Sequence, residues 1–370
     1  MQFSILTTEK EFEQLKQDWN ILLANSRANH LFSSWELANI FWRVYGKFAQ
    51  LRIVCVHHNH QLVAIFPLHL RRRGLLRIFS VRVLQWLGTG GDTSPDYLGG
   101  IVHQKYADQY QHLLGQAVHS LSNEWDLCEL SDAAEMVDPV AMRASCNGAL
   151  LHAKSTQRSI ILAELLPDWD AYLGKLSSNR RQQIRRARRK VFEQENIVLD
   201  RLSSVDALDE WFDDLVRLHH KRWQQKGEGE HAFRTESYNA FHRQLMLAML
   251  QGNALRLWGL KKDGKLIAVL YCLSDGQTTF YYQGGFDTDF DELKPGMVLM
   301  SCAMEEAIKE GCTKFNMMKG DYDFKRSLAK EEDQTHSTLL VRSTFSGIVH
   351  VARFVTFPAM KRGVKKLLKR

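Results

Sequence analysis

Proline and cysteine are both scarce in this chain, 6 of each among 370 residues. With so few breakers and 45% hydrophobic residues, the chain is excluded from the disordered class and can bury full cores. The cysteines (Cys55, Cys128, Cys146, Cys272, Cys302 and Cys312) form no C-x-x-C pair. Most stand in apolar runs, where the expected state is a buried, inert thiol. No run of about 18 or more apolar residues occurs, so no segment reads as a membrane-spanning helix. The opening Met1–Thr7 also lacks the basic-then-apolar layout of a secretory signal. A cytoplasmic location is therefore the expectation.

Acidic residues are missing from two stretches. Eight basic residues and no acid lie between Lys175 and Lys190, and seven more, again without an acid, run from Arg353 to Arg370. Taking these 15 from the net charge of +7 leaves −8 on the rest, so the basicity is confined to two local devices. The first reads as a helix from Ser178 to about Glu195, with Ile184, Ala187 and Val191 as a narrow apolar stripe among Arg180, Arg181, Arg185, Arg186, Arg188, Arg189 and Lys190. It is either a solvated surface helix or one whose mutual repulsion is relieved by acids of the fold, an anionic ligand or a membrane. The second is a tail with Phe354, Val355, Phe357, Met360, Val364, Leu367 and Leu368 among its cations. It suits an anionic membrane surface, or equally a frayed soluble end. Neither stretch is accompanied by zinc spacing or a nucleic-acid motif.

At this length two domains are expected. Residues Thr8–Ala24 and His30–Gly46 read as helices, followed by the runs Leu51–Val56 and Leu62–Leu68. That hairpin aligns with Leu255–Leu260 and Leu266–Leu273 at a constant offset of 204 residues, Asn59 matching Asp263. With gaps, Tyr97-Leu98-Gly99-Gly100 then resembles Tyr282-Gln283-Gly284-Gly285, Tyr106–Leu121 resembles Gly296–Glu310, and Trp125–Leu130 falls where Thr313–Met318 does. The order points to one unit used twice, with domains at 1–165 and 166–340 and a basic tail at 341–370.

The second copy carries the chemical signal. Asp263-Gly264 is a strong hairpin turn, and Thr278–Tyr282 reads as a strand ending at Gly284-Gly285. After a polar loop, Lys294-Pro295-Gly296 opens a helix with Met297, Met300, Met304 and Ala307 on one stripe. A helix that starts there with a glycine in its first turn presents bare amides and a positive dipole end, a site for a pyrophosphate. The same spacing also suits an ordinary loop-to-helix junction. The first copy has Lys105-Tyr106-Ala107-Asp108 at this place, so only the second is expected to hold a phosphate-bearing molecule. A further helix, Val205–Gln225, carries an apolar stripe that includes Leu218, His219 and Trp223. Adjacent His219 and His220 point apart and read as structural histidines; no metal site is expected.

The order Phe32-Ser33-Ser34-Trp35, Asp96-Tyr97, Leu176–Arg181, Leu218-His219 with Arg222-Trp223, Pro295–Leu299 and Gly320-Asp321 through Lys325 resembles the GNAT-type acyltransferase superfamily. It is most similar to the tandem branch of Fem-like peptidyltransferases and cellulose-biosynthesis-type acetyltransferases. The resemblance implies an α+β fold of two tandem GNAT-like domains, each a mixed, mainly antiparallel sheet flanked by helices. It also implies acyl-CoA, foremost acetyl-CoA, as donor, and a small-molecule or lipid-linked amine as acceptor, a sugar or envelope precursor among them. By the same resemblance Lys294, Gly296, Met297 and Val298 would bind the pyrophosphate, and Tyr282, Gln283 and Gly284 the pantetheine arm. His219, Arg222, Trp223, Asp96 and Tyr97 would meet the acceptor. Asp321 is the candidate base, Tyr322 the acid and Lys325 a positioning cation, although Asp321 and Lys325 could simply pair across a turn. Phe324 stands where the family tends to have tyrosine, and Asn316 where an acid is common. Two other readings stay open: a Fem-type aminoacyl-tRNA-dependent transferase, for which no heptad-patterned arm is present, and a non-catalytic, membrane-associated assembly module.

Overall fold

The computed structural model describes residues 1–356 except 77, 78, 91, 94, 147, 148 and 227–231. The chain forms two compact units, Met1–Arg158 joined by the segment from Thr335 onward, and Ser159–Gln334.

The first unit contains β1 (Gln2–Leu6), α1 (Glu9–Gln14), α2 (Lys16–Ala24), α3 (Trp35–Tyr45), β2 (Ala49–His58), β3 (Gln61–Leu76), β4 (Phe79–Trp86), β5 (Ile101–Val102), α4 (Tyr110–Ser120), β6 (Leu127–Ala133) and α5 (Pro139–Ser145). The boundary falls inside β7 (Leu150–Glu164). The second unit holds α6 (Trp169–Lys175), α7 (Ser178–Phe192), β8 (Ile197–Arg201), α8 (Leu208–Lys226), α9 (Glu236–Gln251), β9 (Leu255–Lys262), β10 (Lys265–Ser274), β11 (Thr278–Phe286), α10 (Pro295–Lys309), β12 (Lys314–Lys319) and α11 (Asp323–Arg326). β13 (Glu331–Arg342) and α12 (Phe345–His350) follow.

Strand order in the first unit is β1-β2-β3-β4-β6-β13, with β5 on β3. In the second it is β7-β12-β11-β10-β9-β8. Each sheet is antiparallel but for one parallel pair, β4 with β6 and β11 with β12. The α+β expectation of mixed, mainly antiparallel sheets flanked by helices holds. The two hairpin turns match in backbone as well as offset. Asn59 and His60 take φ of 50° and 65°, and Asp263 and Gly264 take 50° and 78°, the positive pair a tight two-residue hairpin requires.

The unit boundaries differ from the expected 165 and 340. From Thr335 the chain belongs to the first unit, because Thr338–Val341 pair with Leu127–Leu130 of β6 and bury Leu340 and Val341 in that unit's core. Of the expected basic tail, residues 357–370, with Phe357, Met360, Val364, Leu367 and Leu368, lie outside the described residues. The expected alignment of Tyr97–Gly100 with Tyr282–Gly285 is also revised. By pairing, the counterpart of β11 is β4, antiparallel to β3 and parallel to β6; Tyr97–Gly100 is loop.

Helix α7 buries Ile184, Ala187 and Val191 as its stripe predicted and packs on α10. Arg185 pairs with Asp170 at 3.0 Å, Arg188 with Glu305, and Lys190 reaches the Glu292 carbonyl at 3.0 Å. Fold acids thus relieve part of its repulsion. Among the described residues, Arg186 and Arg189 meet no carboxylate. No helix among the described residues is long and apolar enough to cross a membrane.

Candidate active site

Pairing between β11 and β12 stops early. Thr278–Phe280 face Lys314–Asn316 in parallel register, and no pair with β12 joins Tyr281–Phe286 among the described residues. The cause lies at the end of β12. Met318 takes a left-handed φ of 55°, and its N–H donates to the buried Asn316 Oδ1 at 2.8 Å. The buried ammonium of Lys325 then donates to the carbonyls of Met317, Met318 and Lys319 at 2.6, 3.1 and 2.8 Å. These three bonds tie the end of β12 to α11. On the other edge, β11 carries a register shift against β10 between Tyr271 and Cys272, which leaves Tyr282 as the extra residue.

The gap opens on a cavity of about 310 Å³ in the second unit. Its apolar walls include Val269, Leu270, Leu299, Met300, Phe324 and Leu328, and its backbone wall is Gly284–Phe286. A Cβ on Gly284 would lie 3.1 Å from the Val269 carbonyl oxygen. One on Gly285 would lie 2.3 Å from the His219 backbone nitrogen, so this glycine is what lets α8 cross against the strand.

At the mouth stand Lys294, Pro295, Gly296 and Met297. Lys294 caps α10 in a left-handed conformation, φ 51°, with no side-chain cap bond. That costs roughly 1 kcal/mol for a residue with a Cβ. The amides of Met297 and Val298 turn back to the Lys294 carbonyl at 3.0 and 3.1 Å; that of Gly296 meets no protein acceptor among the described residues. A Cβ on Gly296 would stand 3.2 Å from the Phe286 ring. The 3-10 turn Thr288–Leu293 that leads here is tied to α8 by Lys221, which pairs with Asp287 and, at 2.7 Å, Asp289.

Three cations line this cavity, Arg180, Arg222 and Lys294, against one acid, Asp291. Arg222 stacks over Phe286 at 5.3 Å. Its Nε is buried and has no hydrogen-bond partner among the described residues, and no carboxylate pairs with it. Burial raises the Tyr281 phenol, while the Arg222 charge beside it pulls it part of the way back. A phenol, a cationic rim and the Gly296 amide at a helix start therefore meet around an apolar slot.

The residues singled out from sequence separate clearly. Gly284, Lys294, Gly296, Met297 and Arg222 line the cavity. Val298 is fully buried beneath it. Tyr282 packs on the far face of β11, 5.0 Å from His242 and 5.2 Å from Tyr271, and Gln283 does not line the cavity. His219 is buried, and its Nε2 accepts from the Trp223 indole at 2.9 Å, so its ring proton sits on Nδ1. Asp96 and Tyr97 are buried in the first unit, Tyr97 at φ 65° against His30 and Phe32.

Asp321, Tyr322 and Lys325 do not line the cavity. Asp321 is exposed and bound bidentately by Arg326 at 2.5 and 2.8 Å. Arg326 thereby holds its carboxyl below the usual range, the wrong direction for a base. Tyr322 is half exposed, stacked on Phe324, and Lys325 is spent on β12. The turn pair is Asp321 with Arg326. Sequence reasoning missed Tyr281 and the cavity-facing role of Arg180. Strand alternation separates Tyr281 from Tyr282, but only the packing of α10 decides which face holds the slot.

Residues 178–326 match the family model described as an acetyltransferase (GNAT) domain. Among curated proteins, none matches the sequence. Solved structures share the fold at low identity. FemX aligns over 91% of this chain and 97% of its own, with 10% identity and a TM-score of 0.61. The C-terminal domain assigned to a lysylphosphatidylglycerol synthetase of Agrobacterium fabrum aligns over 92% and 95%, with 11% identity and a TM-score of 0.53. A conserved protein of unknown function from Bacteroides thetaiotaomicron covers 92% and 100%, with 11% and 0.54. Residues 178–326 thus match a GNAT-type acetyltransferase domain, and the chain shares its fold with FemX among its structural neighbours.

Proposed function

We propose that the protein is an acyl-CoA-dependent N-acyltransferase, acetyl-CoA being the foremost donor and an amine the acceptor. The carrying observation is the slot in the second unit, where the unpaired half of β11 runs up to the Gly296 helix start beneath three cations. A pyrophosphate suits the Gly296 amide and the positive end of the α10 dipole, with Lys294, Arg180 and Arg222 around them. The pantetheine amides suit the open backbone of Tyr281–Phe286.

In the reaction the acceptor nitrogen, as free amine, bonds to the thioester carbonyl carbon, and the carbon–sulfur bond breaks. Sulfur leaves as thiolate and takes the phenolic proton of Tyr281. The tyrosinate, steadied by Arg222, regains a proton from the acceptor nitrogen. The products are an amide and coenzyme A thiol, with no net proton change. Tyr281 thus takes the acid role that sequence alone gave to Tyr322.

Helix α7, through Arg186 and Arg189, is the surface we assign to an anionic membrane partner, with the protein on its cytoplasmic side. Calorimetric titration with coenzyme A, acetyl-CoA, longer acyl-CoAs and uncharged tRNA tests the donor reading. Micromolar binding of coenzyme A is expected. Binding of tRNA alone, falling steeply with salt, would replace it with the aminoacyl-tRNA-dependent alternative. Binding of neither leaves the assembly-module reading.

A further inference from the structure

A second cavity, of about 340 Å³, lies in the same unit and shares Ser327 and Leu328 with the first. Its other walls are the end of β7, α6, the link into α7, and the segment from Arg326 to Glu331. Unlike the apolar slot it is ringed by charge of both signs.

Most of those polar groups are already engaged. Arg326 is held by Asp321 and Glu332. Lys175 pairs with Glu164 at 3.8 Å. The buried Tyr172 hydroxyl donates to the Leu328 carbonyl at 2.6 Å, which fixes the shared wall from this side. Two charges are left. Glu331 is half-buried, accepts only the Lys330 backbone N–H at 3.3 Å, and meets no cation among the described residues. Its charge reaches inward far enough to raise the Tyr172 phenol, which burial raises first. Lys330, its neighbour, is exposed and meets no carboxylate among the described residues.

A half-buried carboxylate that faces a cavity without a counter-ion is open to pairing with an arriving cation. We propose that this cavity receives the acceptor, and that the acceptor is an amine carrying an anionic group. Glu331 draws the ammonium in and Lys330 takes the anion; the two cavities meet at Ser327-Leu328, over which the amine, once it has lost its proton, reaches the thioester. The inference rests on the donor reading above, since it is the neighbouring slot that gives this position its use.

The test is a thiol-release assay with acetyl-CoA and two matched pairs of amines, glucosamine 6-phosphate against glucosamine and 4-aminobutyrate against butylamine. Coenzyme A binding is followed separately by calorimetry. The anionic member of each pair is expected to be favoured about tenfold in kcat/KM. Glu331→Gln is expected to raise the KM of the anionic amine about tenfold, and Lys330→Glu to erase the preference within each pair, both with coenzyme A affinity unchanged. Equal use of charged and uncharged amines, no turnover of any of the four, or an unmoved KM in both variants overturns the acceptor site. If coenzyme A still binds, the donor reading survives that result; if it does not bind the wild-type protein, both readings fall.

Discussion

The two units begin from the same hairpin and then treat the space beside it in opposite ways. In the first, β4 stays in parallel register with β6 as far as Gln85, one residue short of its end. Tyr110, the first residue of α4, fills the space beneath the loop, its hydroxyl accepting the Gly100 N–H at 3.2 Å and its ring 6.0 Å from Phe66. In the second, β11 loses β12 after Phe280, and the helix that follows opens with proline and glycine. One ring closes a core; the absence of one, with Lys325 tying the end of the neighbouring strand to α11, leaves a slot. A repeated scaffold thus becomes packing in one copy and an open slot in the other through a few residues at a helix start.

Four substitutions or titrations can break or sharpen that contrast. Tyr110→Ala is expected to cost about 4 kcal/mol in urea unfolding, the loss typical of a buried aromatic, without creating a coenzyme A site in the first unit. An unmoved midpoint would show that the ring is no plug. Lys325→Met is expected to cost about 3 kcal/mol, because three carbonyls lose their donor. Coenzyme A affinity should fall with it, and full affinity in the variant would separate the ammonium from the slot. Gly296→Asp sets a side chain against Phe286 and a negative charge at the dipole's positive end. It should weaken coenzyme A about 100-fold, or about 2.7 kcal/mol, with the melting temperature nearly unchanged.

The last test concerns one histidine in each unit. Burial pushes His242 down to about 3, and burial together with the Arg71 charge does the same to His69. Because the native state binds the proton less readily than the unfolded chain, their contribution is complete above about 6.5 and is lost as pH falls from there toward about 3. Each adds a slope of about 1.4 kcal/mol per pH unit in that window. His242→Phe should remove its share of the acid-side loss measured by urea unfolding from pH 7 to 4. A slope identical to wild type would sink the assignment.

Much of the second unit was legible because its signals are local. Asp263-Gly264 fixes a turn by backbone sterics, Ile184, Ala187 and Val191 mark a helix face, and Lys294-Pro295-Gly296 marks a helix start. The features that escaped are those that depend on which partner a segment finds. β13 joins the first unit only because its half from His336 to Val341 finds β6 as a partner about two hundred residues away. The family resemblance cast Asp321 as base and Lys325 as positioning cation. Arg326 takes the first and backbone carbonyls the second, and neither partner can be chosen without the bend at Met318.

Taken alone, the sequence determined the repeated hairpin, the basic helix and the helix start at Pro295-Gly296. These follow from turn geometry, apolar period and charge within a few residues of chain. Tertiary structure alone decided that the slot exists, that Tyr281 and Arg222 face it, and that the last strand belongs to the first unit. Those outcomes depend on which hydrogen-bonding groups distant segments leave for one another, and that choice is made only when the segments pack.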